Sequence, residues 1–403
     1  MSTNRSAQKP GARAQTLSGL RNMKMARSAH AYVRGNTFKF YEWLSECDQS
    51  SIPEGPPVWI CGDCHLGNLG PVASAKGRIQ IEIRDLDQTV IGNPAHDLIR
   101  LALSMASAAR GSDLPGVTTA HILEEMIIGY DEALEDPNSA AKKKDSPTEI
   151  QWVMKQALKR KWRHLATERI EDVKPTIPLG ARFWPLSKAE KIEIGEIFKR
   201  EEVRKLITSL HSRDDDAKIR VADAAFWVKG CSSLGRVRYA VLLQIGKHEF
   251  CLVDMKEAVK AAAPRSKKVR MPANDAERVV QGARELSPYL GERMLATKFL
   301  EHHVVARELM PQDLKFEMEQ ISREDAKKAA RYLASVVGKA HARQMDAGTR
   351  AKWRKELRKA RTKKLDAPSW LWSSVVDLVS SHELAYLEHC RKYALELSGV
   401  AAS

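Results

Sequence analysis

"WICGDCHLGNLG", residues 59–70, supports two incompatible readings. Its cysteines give Cys61-x-x-Cys64-His65, the spacing that attaches a c-type haem. Its carboxylate gives Asp63 with Asn68 five positions on, the spacing by which a phosphoryl-transfer loop sets a carboxylate beside a metal-binding amide. The preceding "PVWI" and the glycines at 62, 67 and 70 read as a strand entering a tight loop. The chemistry that the loop serves decides what the rest of the chain has to supply.

A haem site needs attachment outside a reducing cytoplasm and a second axial ligand. The first 27 residues carry six Lys or Arg, no acid and no apolar core. They read as a basic flexible tail and not as a secretory signal, although a mitochondrial-type presequence shares that composition. Six cysteines in 403 residues do not make a disulfide framework. A reducing, cytoplasmic location is therefore expected. Zinc on Cys61, Cys64 and His65 would need a second Cys or His pair at a fitting distance, and none stands nearby.

The composition, 43% hydrophobic and 29% charged, is that of a globular chain long enough for two or three domains. No apolar run reaches the ~20 residues that span a membrane. The net charge of +15 concentrates in residues 155–164 and in "RAKWRKELRKARTKK" (350–364), where nine of fifteen residues are basic. Such a run either contacts nucleic acid or another polyanion, or forms a solvated helix face. No nucleic-acid motif accompanies it.

Phosphoryl transfer needs little covalent chemistry from a protein. It needs a carboxylate near the attacking hydroxyl and oxygen ligands that hold Mg²⁺ against the phosphates. "GRIQIEIRDLD" alternates Ile79, Ile81 and Ile83 with Gln80, Glu82 and Arg84, a strand with one buried face, and ends in Asp85 and Asp87. Two carboxylates at a strand end suit a hard cation. "GNPAHDLIRLALSMA" follows, with Asn93 as helix N-cap, Pro94 at the first helical position and an apolar stripe at Leu98, Leu101, Ala102 and Met105.

A nucleotide would also need a glycine-rich turn, a lysine and a carboxylate partner for that lysine. "FWVKGCSSLGRVRYAVLLQIGKHEFCLVDMKEA" (226–258) reads as three strands. Gly230, Ser232, Ser233 and Gly235 lie in the first turn, and Lys256 lies on the third strand. An ordinary hairpin is the alternative reading of the turn, and Lys256 at the fitting distance favours the phosphate-binding one. The next segment, "NDAERVVQGARELSPYLGERM", reads as a helix offering Glu277, with Glu285 as a rival, to hold Lys256. "FLEHHVVARELMP" reads as a strand, and "SREDAKKAARYLASVVGKAHARQM" as a long helix capped by Ser322. Arg34, in "YVRGN", could lie near the phosphates or pair with a surface acid.

"GDCHLGN" followed by "IRDLDQTVIGNPAHDLIRLA" resembles the catalytic core of aminoglycoside phosphotransferases and choline kinases, with Cys61 where those enzymes carry a His. The fuller resemblance is to a bacterial family of unknown function, number twenty-two fifty-two. It rests on "YVRGN" (32–36), "GDCHLGNLG" (62–70), "DLD" (85–87), "DLIRLALS" (97–104), "GCSSLG" (230–235), "KEA" (256–258), "ERVVQGAR" (277–284) and "AHAR" (340–343).

These resemblances imply an α+β, protein kinase-like bilobal fold in circularly permuted order. Residues 28–215 would form a mostly helical catalytic lobe with a helical insertion that builds the acceptor site. Residues 216–310 would form a small antiparallel-sheet nucleotide lobe, and 311–403 would complete the catalytic lobe and carry the basic extension. The expected activity is an ATP- and Mg²⁺-dependent phosphotransfer to a hydroxyl-bearing acceptor, most simply a small molecule. Asp63 would be the catalytic carboxylate, with Asn68, Asp85 and Asp87 on the metal. Lys256, Glu277 and the turn at Gly230, Ser232, Ser233 and Gly235 would serve the nucleotide. A non-catalytic nucleotide sensor that binds RNA or another acidic partner, and a nucleotidyl transferase on the same fold, remain open alternatives.

Overall fold

The alternating strands between residues 219 and 309 find their partners in one six-stranded antiparallel sheet. A computed structural model describes residues 12–111, 116–138, 147–170, 176–209, 213–214, 216–231, 233–314, 323–359 and 367–400. The chain opens with α1 (Arg13–Met25), α2 (Ala29–Gly35) and α3 (Thr37–Glu46), followed by β1 (Val58–Ile60), β2 (Leu69–Ala73), β3 (Ile79–Ile83) and β4 (Val90–Gly92). β1 pairs with β4, and β2 with β3. The loop between β1 and β2 therefore runs from one small ribbon into the other. α4 (Pro94–Gly111) starts where expected, with the Asn93 side chain accepting from the Ala95 N–H at 3.0 Å.

On β3 the alternation holds only in part. Ile81 and Ile83 are buried, but so is Glu82 on the opposite face. Glu82 accepts from the Ser287 hydroxyl at 2.7 Å and from the N–H groups of Tyr289 and Leu290, both at 3.4 Å. A short helix thus covers the face that the sequence pattern leaves to water.

α5 (Gly116–Glu135), α6 (Thr148–Lys159), α7 (Trp162–Ile170), β5 (Phe183–Trp184), α8 (Lys188–Ile197) and α9 (Glu201–Thr208) follow. The sheet then forms from β6 (Ile219–Trp227), β7 (Arg238–Ile245) and β8 (Glu249–Glu257). After α10 (Asp275–Leu286) and α11 (Pro288–Gly291), β9 (Met294–Phe299) and β10 (His302–Leu309) complete it. The strand order is β5-β6-β7-β8-β10-β9. α12 (Arg323–Ala342), α13 (Ala347–Arg358) and α14 (Ser369–Val400) return to pack beside α4 and α5. The protein is thus a mixed α+β fold with an antiparallel sheet.

Each sheet face has its own core. Tyr239, Val241, Leu243, Val253 and Met255 pack under α8, α9 and α1. The alternate residues Ala240, Leu242, Leu252 and Leu309 pack against Leu165 and Ile170 of α7. Arg238, Asp254, Lys256 and Arg307 share this second face by strand parity and lie beyond its apolar part.

Two expected boundaries are corrected. The basic tail over 1–27 is a helix from Arg13 onward. Leu17 is buried in the sheet core, and Arg13 Nη1 lies 2.7 Å from Glu190 Oε1. Charge density hid its apolar stripe. Among the described residues, 162–170 and 177–207 contribute side chains to the two sheet cores, so the boundary near 215 cuts through one packed unit. At that boundary the buried guanidinium of Arg213 pairs with Glu308 at 2.7 Å and Glu249 at 2.6 Å. Ser322, expected as the α12 cap, lies outside the described residues. Among the described residues no helix is long and apolar enough to cross a membrane.

Candidate functional site

The loop after β1 is held from beneath by Asp97 in the first turn of α4. Its fully buried carboxylate accepts from the N–H of Cys61 at 2.7 Å and of Gly62 at 2.9 Å. His341, on α12, brings Nε2 to 3.1 Å from the same carboxylate, and its Nδ1 lies 2.9 Å from the Tyr130 hydroxyl. Trp353 Nε1 donates to that hydroxyl at 3.2 Å. The "DLIR" and "AHAR" stretches, 244 residues apart at Asp97 and His341, therefore act on one loop. Cys61 and Cys64 are buried in the core, where desolvation raises the Cys61 thiol well above its ordinary value. They pack the loop from below.

Above this support lie Asp63 and Asn68, which are 8% and 9% exposed. The Asn68 amide donates to the Asp63 carbonyl at 2.9 Å, so the loop fixes their spacing. Arg100 Nε donates to Asp63 Oδ1 at 2.9 Å, and its Nη2 donates to the Val33 carbonyl at 2.6 Å. Arg34 packs across Gly67, where an added Cβ would stand 2.5 Å from its Nη2. Burial lowers the His65 imidazole to about 3; Asp63 and Asp85 oppose the shift, and Arg100 and Arg34 reinforce it. These charges share one neighbourhood.

The sheet supplies the facing wall. Lys256 Nζ is 3.5 Å from both Asp85 carboxylate oxygens and makes a shorter contact with Asp87 Oδ2. Arg236, just after the glycine turn, brings Nη1 to 3.5 Å from Asp87 Oδ2. Desolvation would raise Asp85, but Lys256, Arg307 and Arg238 outweigh it and hold the carboxyl well below the usual carboxylate range. Asp87 goes the other way, raised by desolvation and by the Asp85 charge against the pull of Lys256. The pocket between the walls is lined by Asp85, Asp87, Asp254, Lys256, Val279 and Arg307, among others.

Lys256, Asp85, Asp87 and the turn before Arg236 thus converge. Gly230 and Gly235 both have positive φ, and the Ser233 hydroxyl faces the Lys229 carbonyl at 3.4 Å. Ser232 lies outside the described residues.

Glu277 does not join the cluster. It is exposed on α10, as is Glu285, while Lys256 pairs with Asp85 and Asp87. From α10, Val279 lines the pocket, and Arg278 donates to the carbonyls of Asp87 at 3.1 Å and Val259 at 2.9 Å. Sequence reasoning also assigned no role to Arg100, Arg238, Asp254 or His341. A charged residue within an apolar helix or strand was the available signal for each of them.

The donor set fits a hard cation. Mg²⁺ keeps several waters and takes one or two protein carboxylates beside substrate phosphates. Asp85 and Asp87, which line the same pocket, would be the carboxylates of such a site, and Asn68 would offer an amide oxygen. Among the described residues no group of three or more His, Cys, Asp or Glu side chains is placed to hold a metal ion, so the protein alone would supply only part of the coordination. The basic helix is less available than its composition implied, because Arg354 and Arg358 pair with Asp131 at 3.0 Å and 2.5 Å.

Residues 13–392 match a family described as uncharacterized proteins conserved in bacteria, DUF2252. The chain belongs to this family. No curated protein and no solved structure matches it.

Proposed function

We propose that this DUF2252 member is an ATP- and Mg²⁺-dependent phosphotransferase with a permuted kinase-like architecture, acting on a hydroxyl-bearing acceptor. The observation that carries the reading is the meeting of Lys256 with Asp85 and Asp87. These charges come from separate parts of the chain, 171 residues apart for Asp85, and meet beneath a sheet whose glycine turn borders them. The strand order β6-β7-β8-β10-β9, with α10 between β8 and β9, supports the same reading. It sets a lysine-bearing third strand beside the last strand, as a kinase-type nucleotide lobe requires.

In this reading Lys256 binds the α- and β-phosphates and leaves Asp87 when they arrive. The backbone of the Gly230–Gly235 turn covers them. Asp85, Asp87 and Asn68 would hold Mg²⁺, which when bound spreads the charge of the transferring phosphoryl group. Asp63, fixed by Arg100 and by the loop, orients the acceptor hydroxyl and takes its proton. Asp97 and His341 are positioning residues, since they act through the backbone of Cys61 and Gly62.

The test is thermal unfolding of the full chain with Mg²⁺, ATP and both, repeated on Asp85→Asn and Lys256→Met. Binding at 100 times the Kd stabilises a folded protein by about 2.7 kcal/mol. The expected result is stabilisation that needs both ligands and is lost in both variants. Absence of stabilisation with any nucleotide overturns the reading.

A further inference from the structure

A second, partly enclosed pocket adjoins the Asp85–Lys256 cleft and shares Arg84 and Arg307 with it. Arg84, Arg169, Lys229 and Arg307 line it beside the apolar Val72, Leu165, Leu290 and Leu309. Its one lining carboxylate, Asp313, is already taken, with both oxygens 3.0 Å from Arg293 Nη2. Arg307 lies 3.6 Å from Asp254, but that carboxylate is held two-handed by Arg238. Arg169 reaches Glu168 at 3.0 Å through Nη2, while its buried Nε has no hydrogen-bond partner.

Lys229 is half-buried, and among the described residues no carboxylate stands within ion-pair distance of it. Its ammonium lies 3.9 Å from the Trp227 ring centroid. Burial, then Arg238, and less strongly Arg169 and Arg307, push this ammonium well below its ordinary pKa, against the pull of Asp254. Gathering cations away from water without matching anions is costly, and an arriving anion removes that cost. Guanidinium forks and an ammonium together suit a tetrahedral oxyanion.

We propose that Arg84, Arg169, Lys229 and Arg307 form a binding subsite for a phosphate-type oxyanion, either the phosphate tail of the nucleotide or a phosphate carried by the acceptor. The subsite goes beyond the nucleotide reading and stands without it.

The test is calorimetric titration of the full chain with inorganic phosphate and with tripolyphosphate, without Mg²⁺, on the unaltered protein and on Lys229→Gln, Arg169→Gln and Lys229→Arg. Far-UV circular dichroism and melting curves establish that each variant is folded. The expected result is that both probes bind, that each glutamine variant weakens phosphate binding at least tenfold, and that Lys229→Arg stays within threefold. Absence of binding of either probe to the unaltered protein, or equal phosphate binding by the glutamine variants, overturns the subsite.

Competition assigns the source. ATP displacing phosphate where adenosine does not identifies the nucleotide tail. Phosphate and ATP bound together identify a phosphorylated acceptor. A Lys229-dependent phosphate site without ATP binding overturns the nucleotide reading and leaves the subsite. Mg²⁺-dependent ATP binding with Lys229-independent phosphate binding does the reverse.

Discussion

Gly62 and Gly235 both sit in the left-handed region, at φ +73° and +103°, one in the loop after β1 and the other in the turn before β7. An added Cβ at Gly62 would stand 2.1 Å from the Gln88 carbonyl oxygen, while one at Gly235 would meet nothing within 4 Å. The contrast runs through both walls. On the loop side, backbone groups are taken up by Asp97 and by the Tyr41 hydroxyl, and Asp63 is matched by Arg100. On the sheet side Gly235 has open space around it, and the pocket behind the turn carries more cations than anions. One wall is a finished frame, and the other is left to be completed by a ligand.

The frame should break hardest at Asp97. Asp97→Ala removes the acceptor of two backbone N–H groups and strands His341 in the core. Loss of one member of a buried ionic network costs about 3–5 kcal/mol. Urea denaturation should show a loss of that size, and a change under 1 kcal/mol would mean that the loop is held by something else. Gly62→Ala comes next. It combines left-handed backbone strain with overlap against a main-chain carbonyl, for about 2–4 kcal/mol. The overlapping atom is backbone and cannot rotate away.

The finished wall was also the legible one. Asp63, Asn68, Asp85 and the Asn93 cap are small polar residues at fixed spacing, and short spacing survives folding. The misreading of Glu277 was avoidable. Ala276, Val279, Val280 and Ala283 form the inward stripe of α10, which turns Glu277, Gln281, Arg284 and Glu285 outward. The charges of the sheet side were not legible in the same way. Arg238, Asp254 and Arg307 meet only through the register of β7, β8 and β10, and strand register is a long-range fact. The helix at Arg13–Met25 was masked by its charge, because one buried leucine and an Arg–Glu pair to α8 hold it down.

Acid should separate the walls by a smaller margin. The His65 imidazole is lowered from 6.5 to about 3 and stays neutral when folded. Below pH 6.5 the unfolded chain takes up a proton that the folded loop refuses. The stability contributed by neutral His65 is therefore whole above 6.5 and is lost as pH falls toward 3. His96 and His382, both lowered to about 4, add to the same slope. His65→Gln should be flatter than the unaltered protein by up to about 1.4 kcal/mol per pH unit, or about 2 kcal/mol by pH 5. The charges of the sheet wall are guanidiniums, lysines and paired carboxylates.

The smallest effect is the sharpest test of the contrast. Gly235→Ala adds a methyl group to open space, so packing contributes nothing and only backbone strain remains, about 1 kcal/mol. The melting temperature should fall slightly, and the loss should be well below that of Gly62→Ala. If the two substitutions cost the same, the turn is packed against something and the sheet wall is as finished as the loop wall. If Gly235→Ala is mild in the free protein but abolishes stabilisation by Mg²⁺ and ATP, the open space around the turn is where the chain closes over its ligand.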